Sequence, residues 1–179
     1  SKPDEAVSQK AFDQLLENIL LENCVYYPEV VNSMFRRAPV RLQAENYGHQ
    51  GEGKSFLVKD NSQNSKFYRT SEPVPIENVQ SQGRRGSSRQ FVPLQAGEWT
   101  AYDVHSDESQ ALNVWIQVNA DSIPASFMFS VNGSERKAEV TKTGWHEIDL
   151  GGIVLRRNGN ELKIQVTEGK IGFDWIDIK

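Results

Sequence analysis

Hydrophobic and polar positions divide the chain near Pro39. Between Glu5 and Asn23, Ala11, Phe12, Leu15, Leu16, Ile19 and Leu20 recur at helical spacing. Gln9, Asp13, Gln14 and Glu17 fall on the opposite side, which predicts one amphipathic helix. Pro28 interrupts the pattern. Val30, Val31, Met34 and Phe35 then predict a second short helical or turn segment ending at Arg36-Arg37-Ala38-Pro39. From Val40 the period changes to two. Strands are predicted at 40–47, 55–58, 88–94, 99–104, 111–118, 125–131, 145–150, 161–166 and 171–178. Asn132-Gly133 and Asn158-Gly159 supply the residues that tight hairpins demand. Short strands at even spacing with no helices between them predict an all-β domain, a β-sandwich jelly roll, over residues 39–179. Residues 1–38 form the preceding amphipathic helical segment. They either pack on the β domain or end an upstream domain, and the completeness of the β region favours the latter.

The segment from Lys59 to Arg85 breaks the alternation. It carries Asn, Ser, Gln, two prolines and Arg84-Arg85-Gly86, and so predicts a long excursion of the kind that builds a binding rim. Elsewhere the alternation holds but places large rings on polar faces. In 112–118, Leu112, Val114, Ile116 and Val118 share one face, leaving Trp115 between Asn113 and Gln117 on the other. Such a ring either packs under another element or meets a ligand that is half apolar and half hydroxylated, as a sugar is.

Composition narrows the partners. The 179 residues are 37% hydrophobic and 25% charged, enough for one core or a core with a small appendage. A net charge of -4 argues against nucleic acid; the one basic cluster, Arg84, Arg85 and Arg89, has no interleaved aromatic residues and reads as a solvated loop. Cys24 is alone, which excludes an internal disulfide and a thiolate metal cage. No run is long enough for a membrane-spanning helix. The opening Ser1-Lys2-Pro3-Asp4-Glu5 is no signal peptide and reads as a cut within a longer protein. His49, His105 and His146 lack zinc-site spacing. The crowded Asp103-Val104-His105-Ser106-Asp107-Glu108-Ser109 has the residue types of a hydrolase triad but reads as a solvated turn.

Four landmarks occur in order: Leu42-Gln43-Ala44-Glu45-Asn46-Tyr47, Ala96-Gly97-Glu98-Trp99-Thr100-Ala101-Tyr102-Asp103-Val104, Thr143-Gly144-Trp145-His146-Glu147-Ile148 and Phe173-Asp174-Trp175-Ile176-Asp177-Ile178. Together they resemble family 6 carbohydrate-binding modules and the related family 35 over about residues 40–179. The resemblance implies a non-catalytic module, a monomer, that binds a polysaccharide or oligosaccharide and is covalently linked to a secreted or periplasmic glycoside hydrolase. It also implies a structural calcium, for which Gln43, Glu45 and Asp174 match the ligand positions, with Asp177 competing with Asp174. Calcium takes several hard oxygens, and Gln43 and Glu45 would share one strand face. For the sugar cleft the resemblance assigns one ring to Trp145. The second ring falls to Phe91, displaced upstream of its usual place, and the amide near the chain end is absent. A second cleft would use Trp99 and Glu98, with Trp115, Asn113 and Gln117 adding to that face. Trp175, among apolar neighbours, is expected in the core. The competing reading is a structural sandwich whose Trp115 and Trp145 bury against the attached enzyme without binding sugar. Asn132-Gly133-Ser134 also matches a glycosylation sequon, though a hairpin turn accounts for it.

Overall fold

The computed structural model describes residues 5–18, 20, 34–79 and 89–179. The chain forms two compact units, Ser1–Val30 and Val31–Lys179. Of the first, helix α1 (Glu5–Asn18) is described, with Gln9 donating to Asp13 one turn on. Ile19, Cys24, Pro28, Val30, Val31, Arg84, Arg85 and Ser88 lie outside the described residues, so the expectations for them have no structural counterpart. Met34 and Phe35 occupy a single exposed turn.

The second unit is a sandwich of two antiparallel sheets. The strands are β1 (Val40–Gln43), β2 (Phe56–Leu57), β3 (Glu77–Asn78), β4 (Gln90–Gln95), β5 (Trp99–Ser106), β6 (Gln110–Ala120), β7 (Ala125–Val131), β8 (Ser134–Val140), β9 (Gly144–Leu155), β10 (Asn158–Glu168) and β11 (Lys170–Ile178). One sheet runs β3-β4-β11-β6-β9, with β1 also paired to β11; the other runs β2-β5-β10-β7-β8. The inward faces are those the alternation requires: Val114, Ile116 and Val118 of β6 meet Leu162, Ile164 and Val166 of β10 in one cluster. Phe127 of β7 and Phe173 of β11 bridge the sheets edge to face, with centroids 5.3 Å apart.

Two differences from the sequence expectation have clear causes. β8 went unpredicted because Ser134–Lys137 is polar on both faces; it is an edge strand on β7, and edges tolerate charge. Asn132 and Gly133 do form the tight β7–β8 turn, both at positive φ (51° and 83°). Asn158-Gly159 does not form a hairpin. Both residues lie inside β10, and Arg156-Arg157 carry the chain from β9 in one sheet to β10 in the other.

The 59–79 excursion is tied to the core by Arg69, whose backbone sits at positive φ. Its guanidinium donates to the carbonyls of Tyr47 and Gly48 and to both carboxylate oxygens of Glu72. It also lies 3.6 Å over the buried Tyr47 ring, whose hydroxyl donates to Glu72 at 2.7 Å. Burial pushes the Glu72 carboxyl up, but the hydrogen bonds from Arg69 and Tyr47 outweigh it and hold it below its ordinary 4.5. A depressed carboxyl stabilises the fold fully above its ordinary value, and that stability is lost as pH falls through the folded value. Arg69→Ala is expected to cost about 3 kcal/mol at pH 7, because it strands Glu72 and two carbonyls. Urea denaturation from pH 7 to pH 3 checks both points: the gap between the variant and the parent should narrow as Glu72 protonates.

Candidate sugar-binding site

The centre of the candidate site is a row of residues set by strand register. Trp145, first after the Gly144 turn, pairs with Asn119 on β6, Asn119 with Gly172 on β11, and Gly172 with Pro93 on β4. Paired residues share a face, so this row lies on the outer side of the six-stranded sheet. Phe91, two residues before Pro93, shares that face. Its ring approaches Gly172 so closely that a Cβ there would sit 2.8 Å from Phe91 Cδ2, and only glycine fits. The Phe91 and Trp145 rings meet at 5.3 Å and 84°. They form a half-buried corner rather than two parallel jaws.

Arg89 completes the corner. Its guanidinium lies 5.1 Å from the Trp145 ring centre and ion-pairs with Asp174, which is 1% exposed. Asp174 is the extra residue of a bulge: Phe173 pairs with Val118 and Trp175 with Gln117, leaving it unpaired. The fold brings together Trp145 and Phe91, both expected from the sequence, and sets beside them Asn119 and Arg89, which the sequence did not single out for this place. An amide thus stands in the row on Asn119, where only its register opposite Trp145 reveals it.

The other expected sugar-binding residues are dispersed. Trp99 is half-buried on the five-stranded sheet in a groove of about 330 Å³ with Asp103, Glu161 and Lys163, the lysine amine 4.0 Å over its ring. Glu98 is not available to a ligand: it is buried, and its carboxylate accepts from the backbone N–H of Lys59 and of Gln95, closing the β4–β5 turn. Trp115, Asn113 and Gln117 cannot join Trp99, because they belong to the other sheet. Trp115 lies there under the Lys179 amine at 4.6 Å. Trp175 is buried as expected but outside the core cluster; it is on the outer face, paired with Gln43 and Gln117 and covered by Arg41 at 4.1 Å.

The expected calcium ligands fit a cation in part. Gln43 and Glu45 do not share a strand face, because β1 ends at Gln43 and Glu45 stands in a 3-10 turn, Ala44–Asn46. Gln43 is exposed. Glu45 Oε2 is buried without a partner, and its carboxyl is pushed up by burial, then by the charge of Asp174. Asp177 is committed elsewhere, accepting from Arg41 at 2.7 Å and Lys179 at 3.0 Å. Among the described residues no group of three or more His, Cys, Asp or Glu side chains is arranged around a common point. Of the expected ligands that leaves Glu45 and Asp174 as an incomplete set, with Asp174 also ion-paired to Arg89.

The triad-like stretch is the β5–β6 turn. Ser106 is fully buried and donates to the Glu108 carbonyl, while His105 and Asp107 stand 3.7 Å apart near the surface. A nucleophile held in this way is unavailable to a substrate.

Neither protein-family profiles nor curated sequences match the chain. Solved structures do. One is carbohydrate-binding module CBM6cm-2 from Cellvibrio mixtus lichenase 5A in complex with cellotriose, with a TM-score of 0.54, 18% identity, and 79% of this chain and 96% of that one covered. A second is CBM36 in complex with calcium and xylotriose, with a TM-score of 0.51, 13% identity, and 78% and 99% covered. A third is the Podospora anserina GH26-CBM35 β-(1,4)-mannanase, with a TM-score of 0.52 and 16% identity. The match covers 78% of this chain and 27% of that enzyme, so the chain spans about a quarter of it. The chain thus has the β-sandwich fold of carbohydrate-binding modules of the family 6, 35 and 36 type.

Proposed function

We propose that this protein is a non-catalytic carbohydrate-binding module whose principal site is the corner formed by Trp145 and Phe91. The observation that carries the proposal is the outer-face row: two half-buried rings beside Asn119 and Arg89, an apolar surface flanked by hydrogen-bonding groups. A pyranose offers a C–H face to an indole and a rim of hydroxyls to amide and guanidinium. Each hydrogen bond replaces one to water and nets about 1 kcal/mol, so the stacked ring contributes most. Affinity is expected in the micromolar to millimolar range, roughly -4 to -8 kcal/mol. The groove at Trp99 is the candidate second site. Linked to a secreted or periplasmic glycoside hydrolase, as in the mannanase of similar fold, a monomeric module of this kind raises local substrate concentration through avidity.

A structural reading competes on a specific observation: every one of the four tryptophans carries a cation over its ring. Rings satisfied in this way would suit a sandwich that binds no sugar and packs on its neighbouring domain. Affinity electrophoresis in gels containing xylan, β-glucan, mannan or galactan separates the two. The sugar-binding reading expects retardation by one polysaccharide and about 30-fold weaker binding in Trp145→Ala, equivalent to about 2 kcal/mol. Retardation that survives Trp145→Ala overturns the corner as the principal site, and none in any gel overturns the sugar-binding reading.

We also propose that Glu45 and Asp174 hold a structural calcium that ties the 3-10 turn to the β11 bulge, in competition with Arg89 for Asp174. The bound ion would supply the positive charge that Glu45 lacks. A carboxyl raised above its ordinary value leaves stability intact below that value and loses it as pH rises through the folded one. In chelator, Glu45→Gln is therefore expected to melt above the parent at pH 7, with the difference vanishing near pH 4. Added calcium should raise the parent melting temperature, raise Arg89→Gln more, and leave Glu45→Gln unmoved. No response in the parent would remove calcium from the account.

A further inference from the structure

From the cavity beneath the 59–79 excursion we infer a second glycan subsite, contiguous with the Trp145 corner and selective for neutral sugars. The inference rests on the proposed sugar-binding reading and extends it to a ligand longer than the corner alone can hold. The cavity encloses about 530 Å³ between the excursion and the outer face of β4. Its floor includes Pro93, which stands in the same cross-strand row as Gly172, Asn119 and Trp145. A chain seated at Trp145 therefore runs toward the cavity along that row.

Two features mark the cavity as built for a ligand. Ser65 lines it, is only 7% exposed, and its hydroxyl has no hydrogen-bond partner. Its backbone N–H donates to the Glu72 carbonyl at 2.8 Å, which ties its main chain to the Arg69–Glu72 cluster. A buried hydroxyl left without a partner costs about 1–3 kcal/mol, which a ligand hydroxyl can recover because it both donates and accepts. The second feature is Phe67. It lines the same cavity and is 56% exposed, beside Pro73 and Pro75. An exposed ring in a cavity whose wall mixes apolar and hydrogen-bonding groups suits the C–H face and hydroxyl rim of a sugar.

Charge selects among sugars. Two lysines, Lys66 and Lys170, line the wall together with three carboxylates, Asp60, Glu77 and Glu98. Asp60 is held charged by hydrogen bonds from Ser62. The wall carries no positive excess to attract a uronate, and Gln63, Asn64 and Gln95 offer neutral amides instead.

Backbone amide shifts of the full chain, followed while adding three-unit and six-unit cello-, xylo- and manno-oligosaccharides and an oligogalacturonate, test this. A six-unit neutral chain is expected to shift both Trp145 and Lys66-Phe67, and a three-unit chain Trp145 alone. Phe67→Ala should weaken the six-unit chain about tenfold and leave the three-unit chain unchanged. Phe67 is exposed, so its loss leaves the fold intact. Ser65→Ala should weaken the six-unit chain likewise without lowering the melting temperature. Shifts confined to Trp145, with Phe67→Ala binding as the parent, overturn the subsite but leave the corner standing. Shifts confined to Lys66-Phe67 support the cavity and overturn the corner. No shift with any probe overturns both. Tighter binding of the oligogalacturonate overturns the neutral assignment.

Discussion

The candidate site depends on one strand, β11, which hydrogen-bonds to β1, β4 and β6 together. A strand with three partners has no freedom of register, because slipping by one residue would turn its whole core face outward. Its single irregularity, the bulge at Asp174, breaks the side-chain alternation between Phe173 and Ile176 so that both still point inward. That bulge places a buried carboxylate within reach of Arg89, and Arg89 reaches back over Trp145. Two positions earlier Gly172 leaves room for Phe91. The ring corner is thus a consequence of how β11 is threaded, not of a flexible loop that must close on its ligand.

The cations over the tryptophans can be weighed against that corner. A cation on an exposed ring contributes about 0.5–1 kcal/mol, while a well-placed aromatic contact in a ligand site is worth more once water is excluded. A sugar can therefore displace a surface lysine from an indole at modest cost, as at Trp99 or Trp115. Arg89 is different. It is held by a buried carboxylate, so a sugar at Trp145 is better placed beside the guanidinium, on the side open to Phe91, than in its place. Trp175 is the converse case, a buried ring with Arg41 as its cover, and its contribution is to the fold.

The sandwich was legible because its core strands alternate cleanly. Val114-Trp115-Ile116 and Leu162-Lys163-Ile164 assign their faces without ambiguity. The bulge was legible in principle, in the parity break between Ile171, Phe173 and Ile176, Ile178, but its consequence for Asp174 was not, since Arg89 is remote in sequence. Sheet membership was the larger loss. Trp99 and Trp115 both read as rings on polar faces, and alternation cannot say on which of two sheets a face lies. The four landmark segments pointed to Trp145 and Glu45, and to Phe91 only as a ring displaced upstream of them, yet they also drew in Glu98, whose carboxylate is spent on two backbone amides. A carboxylate next to a glycine turn closes that turn as readily as it binds a ligand, and only the hydrogen-bond partners distinguish the two.

The excursion shows why an irregular segment need not be a mobile one. Its 21 residues from Lys59 to Val79 contain little regular pairing, yet Arg69 fixes them through four hydrogen-bonding contacts and a stacked tyrosine. The ordering entropy is met during folding, by a buried guanidinium whose donors are satisfied, and not when a ligand arrives. A cavity held open in this way spares any ligand that ordering cost. The main chain of Ser65 is tied to the same cluster through the Glu72 carbonyl, so the segment that is held in place also carries the unpartnered hydroxyl into the cavity.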